Sequence, residues 1–364
     1  MQLLRFILYT EFDSTADVLY NYFRIRQENK LRNAVIFITF FFILTAVTGC
    51  SGERKKIVPV EEQHSSIILG FSQIGAESAW RTYNTKSMQD AAAKAGIQLL
   101  YANAEQKQEN QIKAIRSFIV YQVDVIAFVP IVQDGWDNVL REAKKAHIPV
   151  IVCDRKIHTS DESLYACYIG TDSMEEGRNA ARFLEKKFAG KKGPYNILEI
   201  RGTDGSSASD GRTQGFREVI GKDKRFSIVY SESGDFIRSM GKEIAENILS
   251  ENNNRLAIKN IPINIIVSGN DGMTLGFLEV LHNHGIKTGK NITIVTVDAQ
   301  QEAIDKLKAG EINCVIECNP NIGPQVMELV KKLAANEPIP KLTDVKESVF
   351  TENDDLSNLP PRGY

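Results

Sequence analysis

The sequence predicts an α/β fold with two parallel-sheet lobes, and three observations predict it. Apolar, strand-like runs recur at residues 67–71, 125–129, 150–152, 167–169, 197–200, 265–267 and 292–297. Helical segments separate them, and that alternation builds parallel sheets covered by helices on both faces. Each run also stops at a polar cluster, and open parallel sheets bind ligands just outside the carboxyl ends of their strands. The pattern restarts near Asp172, which marks the passage from a first lobe to a second. The carboxyl ends of both sheets then face one cleft, the usual place for a small ligand between domains.

The elements follow in order. The first run leads into Ser72-Gln73-Ile74-Gly75-Ala76-Glu77-Ser78-Ala79-Trp80-Arg81. A helix over 87–95 stops at Gly96, a residue suited to a left-handed C-cap. Residues 106–120 place Ile112, Ile115 and Ile119 on one helical face. The next runs end at Pro130, at Cys153-Asp154-Arg155 and at Gly170-Thr171-Asp172. Ser173-Met174-Glu175-Glu176 has capping-box form and opens a helix that continues to the region of Phe188. The last three runs give way to Arg201-Gly202-Thr203-Asp204-Gly205, to Ser268-Gly269-Asn270-Asp271 and to Asp298. Further helices fit 212–220, 239–249, 272–282, 301–309 and 323–335. Pro149, Pro194 and Pro262 sit where loops hand over to strands, where a missing N–H costs little.

With 364 residues the chain is long enough for two domains. Its 44 basic and 46 acidic residues are intermixed, for a formal net charge of -2, so no basic stripe argues for nucleic acid. The N-terminal region is the exception. Residues 34–47 carry no charge and follow Lys30 and Arg32; they are too few to span a bilayer but fit the apolar core of a signal peptide. Val47-Thr48-Gly49-Cys50 comes next and resembles a bacterial lipobox, in which the Cys is lipidated. The competing reading is a short membrane anchor with a chance Cys. The segment before the apolar run is unusually long for a signal peptide, and no Met occurs between Met1 and Met88, so translation is expected to start nearer Lys30 at a non-Met codon. Residues 51–63 read as a tether.

Four further cysteines remain. Cys314 and Cys318 are too far apart along one strand for a bridge. Cys153 and Cys167 lie on neighbouring strand segments, where buried thiols are favoured over a bridge. No Cys-x-x-Cys pair occurs and His282 and His284 point to different faces, so neither a metal nor a cofactor is expected.

The strand-end clusters suit a ligand rich in hydroxyls. A sugar presents apolar C–H faces and hydroxyls that donate and accept, so its binder needs aromatic faces, carboxylates and Arg or Asn donors. Trp80 and Phe236 are the aromatic candidates, Glu77, Asp154, Asp298 and Glu317 the acceptors, and Arg81, Arg155, Arg212 and Asn270 the donors. Plainer readings compete: a lobe-core Trp80, a surface turn at Asp154-Arg155, and an N-cap at Asp298 for the helix near Gln301. The facing of Glu77, Arg81 and Glu317 is open. The loop 202–212 lacks the endings of Walker and dinucleotide loops, and reads instead as a hinge-facing loop that delivers Arg212. No Gly-x-Ser-x-Gly elbow or recurring Ser, His and carboxylate set is present, so no enzyme is expected.

From about Ser66 to Phe350 the chain resembles the bacterial type I periplasmic sugar-binding proteins of ABC transporters, looking closer to galactofuranose-binding members than to ribose-binding ones. The stretches from Gly70 to Arg81 and from Gln106 to Phe118, with Cys153-Asp154-Arg155, carry the likeness. So do Ser233-Gly234-Asp235-Phe236-Ile237-Arg238-Ser239 and Gly269-Asn270-Asp271-Gly272-Met273. The resemblance implies two Rossmann-like lobes joined by a three-crossover hinge. With the N-terminal reading, the expected division is a signal peptide with lipobox (1–49), a tether (50–65), a first lobe (66–168 plus 318–346) and a second (169–317 plus 347–364). The resemblance assigns sugar contacts to Trp80, Asp154, Arg155, Arg212, Phe236, Asn270 and Asp298, and less firmly to Glu77, Arg81 and Glu317. Two departures bear on which sugar is preferred: Gly272 replaces an acidic residue, and Ala299-Gln300 follows Asp298.

The resemblance implies a monomeric, extracytoplasmic protein with a monosaccharide ligand, an ABC transporter permease as partner and no nucleic acid, while the lipobox at Cys50 departs from a soluble periplasmic relative and points to a membrane-anchored lipoprotein. A sugar sensor for a chemoreceptor or histidine kinase is the competing function. A sugar-responsive transcription regulator would need a helix-turn-helix where the signal-like run stands.

Overall fold

The computed structural model describes residues 66–364, so Cys50, the signal-like run and the tether lie outside the described residues. The first half runs β1 (Ile68–Gln73), α1 (Ala79–Ala95), β2 (Gln98–Asn103), α2 (Gln108–Tyr121), β3 (Val125–Phe128), α3 (Asp137–Lys145), β4 (Val150–Cys153), β5 (Cys167–Gly170) and α4 (Ser173–Lys187). Then follow β6 (Tyr195–Arg201), α5 (Ser207–Ile220), β7 (Phe226–Ser233), α6 (Arg238–Glu251), a short ribbon of β8 (Ala257–Ile258) and β9 (Ile261–Pro262), β10 (Ile265–Ser268) and α7 (Asp271–Asn283). The chain closes with β11 (Thr293–Asp298), α8 (Gln301–Lys308), β12 (Cys314–Glu317), α9 (Gly323–Ala334), β13 (Leu342–Asp344) and β14 (Val349–Thr351).

Two six-stranded sheets result, in the orders β13-β5-β4-β3-β1-β2 and β14-β12-β11-β10-β6-β7. The first is parallel throughout. The second is parallel except for β14, which runs against β12. The chain therefore passes between the sheets three times: after β5, after β12, and between β13 and β14. A boundary at residues 168/169 cuts β5, whose four residues all belong to the first sheet; the passage falls at Thr171 and Asp172 instead.

Alternating side chains send each strand's residues to opposite faces, and helices cover both. In the second lobe, Ile197 meets Ala180, Leu184 and Phe216 of α4 and α5, while its neighbour Leu198 meets Ile244, Phe277 and Ile304 of α6, α7 and α8. In the first lobe, Phe71, Val125 and Ile151 meet Met88 of α1 and Val326 and Val330 of α9. Ile126 and Val150 meet Ile115 and Leu140 of α2 and α3 on the other face.

The structure adds elements beyond the apolar runs. β2 and β7 are edge strands, half exposed and mixed in polarity, so they carry no apolar run. The helix α3 also goes unread in the sequence. Two helices start earlier than their periodicity implies, because Ser78 and Ser206 cap them by accepting from Arg81 N and Ser209 N. That puts Trp80 and Arg81 in the first turn of α1. At α4 the cap is Asp172, which accepts from Met174 N and Glu175 N, so the capping-box reading of Ser173 and Glu176 does not hold. Gly96 does end α1 with a left-handed φ of 70°. Among the described residues, Cys153, Cys167, Cys314 and Cys318 are buried free thiols.

Candidate functional site

A cavity of about 280 Å³ of empty space lies at the carboxyl ends of both sheets, lined by Glu77, Trp80, Arg81, Asp154, Arg155 and, across it, Arg212, Phe236, Asn270 and Asp298. Ser78, Ala208 and Cys318 complete the wall, and the sequence had not singled them out as contacts. A larger, open groove of about 1460 Å³ lies at the opposite end of the first sheet, among residues such as Gln122, His147 and Tyr165. Its wall has no buried charge.

The first lobe supplies a chain of ion pairs. Arg81 Nη2 donates to Asp154 Oδ2 at 2.7 Å and its Nε to Glu77 Oε1 at 3.3 Å; Arg155 Nη2 donates to the same Glu77 oxygen at 2.8 Å. Both arginines are only 2 % exposed. Burial acts to lower the Arg81 pKa, but Asp154 and Glu77 outweigh it and hold the group above its ordinary value. For Arg155 burial wins, with Arg81 and Arg212 nearby, and its pKa falls. Arg81 Nη1 and Arg155 Nε are buried without a hydrogen-bond partner among the described residues. An unpaired buried donor is costly, so these two nitrogens are sites that a ligand's oxygen would satisfy.

The second lobe presents its groups differently. Arg212 Nε donates to Glu176 Oε2 at 2.5 Å and Nη1 to the Gly269 carbonyl at 2.8 Å. The approach is close because α4 and α5 touch through glycine: a Cβ on Gly177 would stand 2.1 Å from the Arg212 carbonyl oxygen. Phe236, at φ 63°, lays its ring on Gly202, where a Cβ would stand 2.0 Å from it. The Arg155 and Arg212 guanidinium carbons lie 5.1 and 5.7 Å from that ring's centroid. Asn270 caps α7 by accepting from Met273 N, and donates to the Phe236 carbonyl at 3.1 Å.

Asp298, at φ 122°, ends β11 and accepts from Gln300 Nε2 at 3.2 Å; it does not cap α8. Burial and the neighbouring Asp271 push its carboxyl well above the usual range. Asp271, which accepts from Thr296 Oγ1 and Gln300 N, is itself raised to about 7, by burial. Asp154, at φ 61°, joins Phe236 and Asp298 in left-handed backbone that non-glycine residues seldom adopt. Such strain clusters at ligand sites.

Two candidates need correction. Glu317 does not line the cavity: it neighbours Asp298 in register, but Arg362 of the C-terminal segment pairs with its carboxylate. Trp80 is more than a stacking face. Its Nε1 donates to the Cys318 carbonyl at 2.5 Å, and the ring packs with Val297 and Ile316 in the second lobe's core. Glu176, read from sequence as part of a helix start, turns out to hold Arg212.

The lips of the cleft touch. Gln133 N donates to the Gly205 carbonyl at 2.9 Å, Gln133 Nε2 to Asp210 Oδ2 at 2.8 Å, and Lys156 N to Ser207 Oγ at 2.6 Å. These contacts close the lips over the cavity. It offers donors, acceptors and an aromatic face.

The family described as periplasmic binding protein domain matches residues 69–338. The galactofuranose-binding protein YtfQ of Escherichia coli (strain K12) is 37% identical over 326 residues, 88% of this chain and 98% of that protein. A solved Mycobacterium smegmatis structure in complex with beta-D-fucofuranose is 44% identical with a TM-score of 0.75, covering 79% of this chain and 92% of that one. The periplasmic binding protein component of the arabinose ABC transporter from Shewanella sp. ANA-3, bound to alpha and beta-L-arabinofuranose, is 39% identical with a TM-score of 0.73, covering 78% and 92%. With a family match across most of its length and relatives of this similarity, the chain belongs to the periplasmic binding protein family and is a binding protein, not an enzyme.

Proposed function

We propose that the protein is a lipid-anchored, extracytoplasmic receptor that captures one monosaccharide by hinge closure and hands it to an ABC transporter permease. The ligand class is a hexose or pentose of the galactofuranose, galactose or ribose type, with the furanose ring favoured. The observation that carries this reading is the cavity itself. Three arginines and three carboxylates, two of the arginines with unpaired buried nitrogens, surround about 280 Å³ beside the Phe236 ring. Sugar hydroxyls accept from the arginines and donate to Glu77 and Asp154, and each such charge-assisted bond contributes about 1.5–3 kcal/mol. The furanose preference is supported by the fucofuranose and arabinofuranose in the solved relatives and by the name of the Escherichia coli relative. The three crossings between lobes support closure as a hinge motion.

Titrating ligand-depleted protein with L-arabinose, D-galactose and D-ribose by calorimetry tests the capture step. One-site binding of at least one sugar is expected; no heat from a panel of pentoses and hexoses contradicts the reading. Anchoring rests on Val47-Thr48-Gly49-Cys50. Cys50→Ala is expected to release the protein from the membrane fraction, because stable anchoring needs more than one acyl chain and each buried CH₂ contributes about 0.8 kcal/mol. Retention of that variant after a high-salt wash contradicts the lipid anchor.

A further inference from the structure

The three crossings between the lobes meet at one buried cluster behind the cavity. Thr171 follows β5, Cys318 follows β12, and Glu347 lies between β13 and β14. A carboxylate oxygen from Glu176, one from Glu347 and the Cys318 sulfur all lie within 4.8 Å of one another, and Thr171 Oγ1 is 3.6 Å from that sulfur. Glu176 is fully buried on α4, and its Oε2 already accepts from Arg212. Its other oxygen, Oε1, and Glu347 Oε1 are both buried without a donor among the described residues. Two ionised carboxylates packed together beside a single guanidinium would repel and remain undersolvated. One proton between them removes both unsatisfied oxygens at once.

We propose that Glu347 is a protonated positioning residue: its carboxyl donates to Glu176, Glu176 holds Arg212, and the third crossing is thereby linked by hydrogen bonds to the ligand-facing guanidinium. No bond is broken and no proton leaves; Glu347 supplies the hydrogen and Glu176 the lone pair. The surrounding charges agree. Burial and then the Glu176 charge raise the Glu347 carboxyl to about 11. Burial acts to raise Glu176 too, but Arg212 outweighs it and Glu176 is held below its ordinary value. Arg212 on α5 is the cation facing the pair, Asp298 at the end of β11 adds a further acid, and burial keeps the Cys318 thiol far above its ordinary value. Because the folded Glu347 value exceeds the ordinary 4.5, its contribution to stability is fully present below that pH and is lost as pH rises through about 11. Ligand affinity should follow the same direction on the alkaline side.

The affinity arm of the test rests on the sugar reading; the spectroscopic arm does not. Infrared difference spectra at neutral pH should show a protonated-carboxyl C=O band that is lost in Glu347→Gln and kept in the exposed control Glu337→Gln. Titration with D-galactose and L-arabinose should find Glu347→Ala weakened about tenfold. Glu347→Gln, whose amide offers the same donor with no proton to lose, should stay within about twofold and lose the alkaline fall in affinity. An unchanged carboxyl band in Glu347→Gln overturns the proposal. So does a metal ion bound stoichiometrically by the purified protein and removed by chelator together with Arg212-dependent affinity. If the wild type binds neither sugar, the capture reading fails while the infrared result still decides this one. If Glu347→Ala does not fold, Glu347→Gln carries both measurements.

Discussion

The two lobes bring charge to the same cavity and stabilise it in opposite ways. The first lobe links Asp154, Arg81, Glu77 and Arg155 into a run of ion pairs in which positive and negative groups balance. The second lobe holds Arg212 on Glu176 but buries Asp298 beside Asp271, with no cation in salt-bridge contact with Asp298 among the described residues. Ion pairing compensates the charges of the first set. Proton uptake is the resort of the second, since a buried carboxylate without a cation shifts its pKa instead of standing charged. The same residue types therefore present paired charge on one side of the cavity and a titratable donor on the other.

The largest expected effect comes from breaking the first lobe's run at its centre. Glu77→Ala strips a partner from both Arg81 and Arg155, and removal of one member of a buried pair costs about 3 kcal/mol or more. Calorimetry with D-galactose or L-arabinose, whichever the wild type takes, should show affinity falling at least about a hundredfold.

A matched pair of variants sharpens the contrast between lobes. Asp154→Asn should weaken binding by about 1.5–3 kcal/mol, because Arg81 loses a charged partner. Asp298→Asn should cost less than about 1 kcal/mol, because an amide resembles the protonated acid already favoured there. Equal losses would erase the distinction drawn above. Trp80→Ala belongs with neither, since its indole is tied to Cys318 and the second lobe's core: melting temperature should fall along with affinity.

The pH dependence carries a definite sign. Asp271 rises from 3.8 in ordinary surroundings to about 7 in the fold. Its contribution to stability is therefore fully present below pH 3.8 and lost as pH rises through about 7. Thermal melts should show Asp271→Asn flattening the decline across that window; an unchanged pH profile would place the proton elsewhere. The smallest effect is at the lips, where Gln133→Ala removes the side-chain bond to Asp210 and should raise the dissociation rate through a loss of about 0.5–1.5 kcal/mol.

The sequence made the buried architecture legible and the exposed or relayed parts much less so. Strands buried on both faces, such as Val125–Phe128 and Ile265–Ser268, announce themselves as apolar runs. The edge strand Phe226–Ser233 does not, because half of it meets water. Residues at strand ends, including Asp154, Arg155 and Asp298, were readable from position alone, and the cavity wall includes them. Glu317 shows the limit: its strand end is adjacent, but the far C-terminal Arg362 turns its carboxylate aside. Glu176 and Glu347 carry no local signal, since what defines them is a meeting of three chain crossings far apart in sequence. Periodicity reports burial within an element; it does not report which distant charge comes to lie opposite.

Closure of two lobes on one sugar is tested most directly by small-angle scattering on ligand-depleted protein, before and after addition of a sugar that calorimetry shows to bind at one site. The radius of gyration is predicted to fall on addition, as the Gln133 and Lys156 lip contacts to Gly205, Asp210 and Ser207 form. An unchanged radius with the sugar bound would contradict capture by closure.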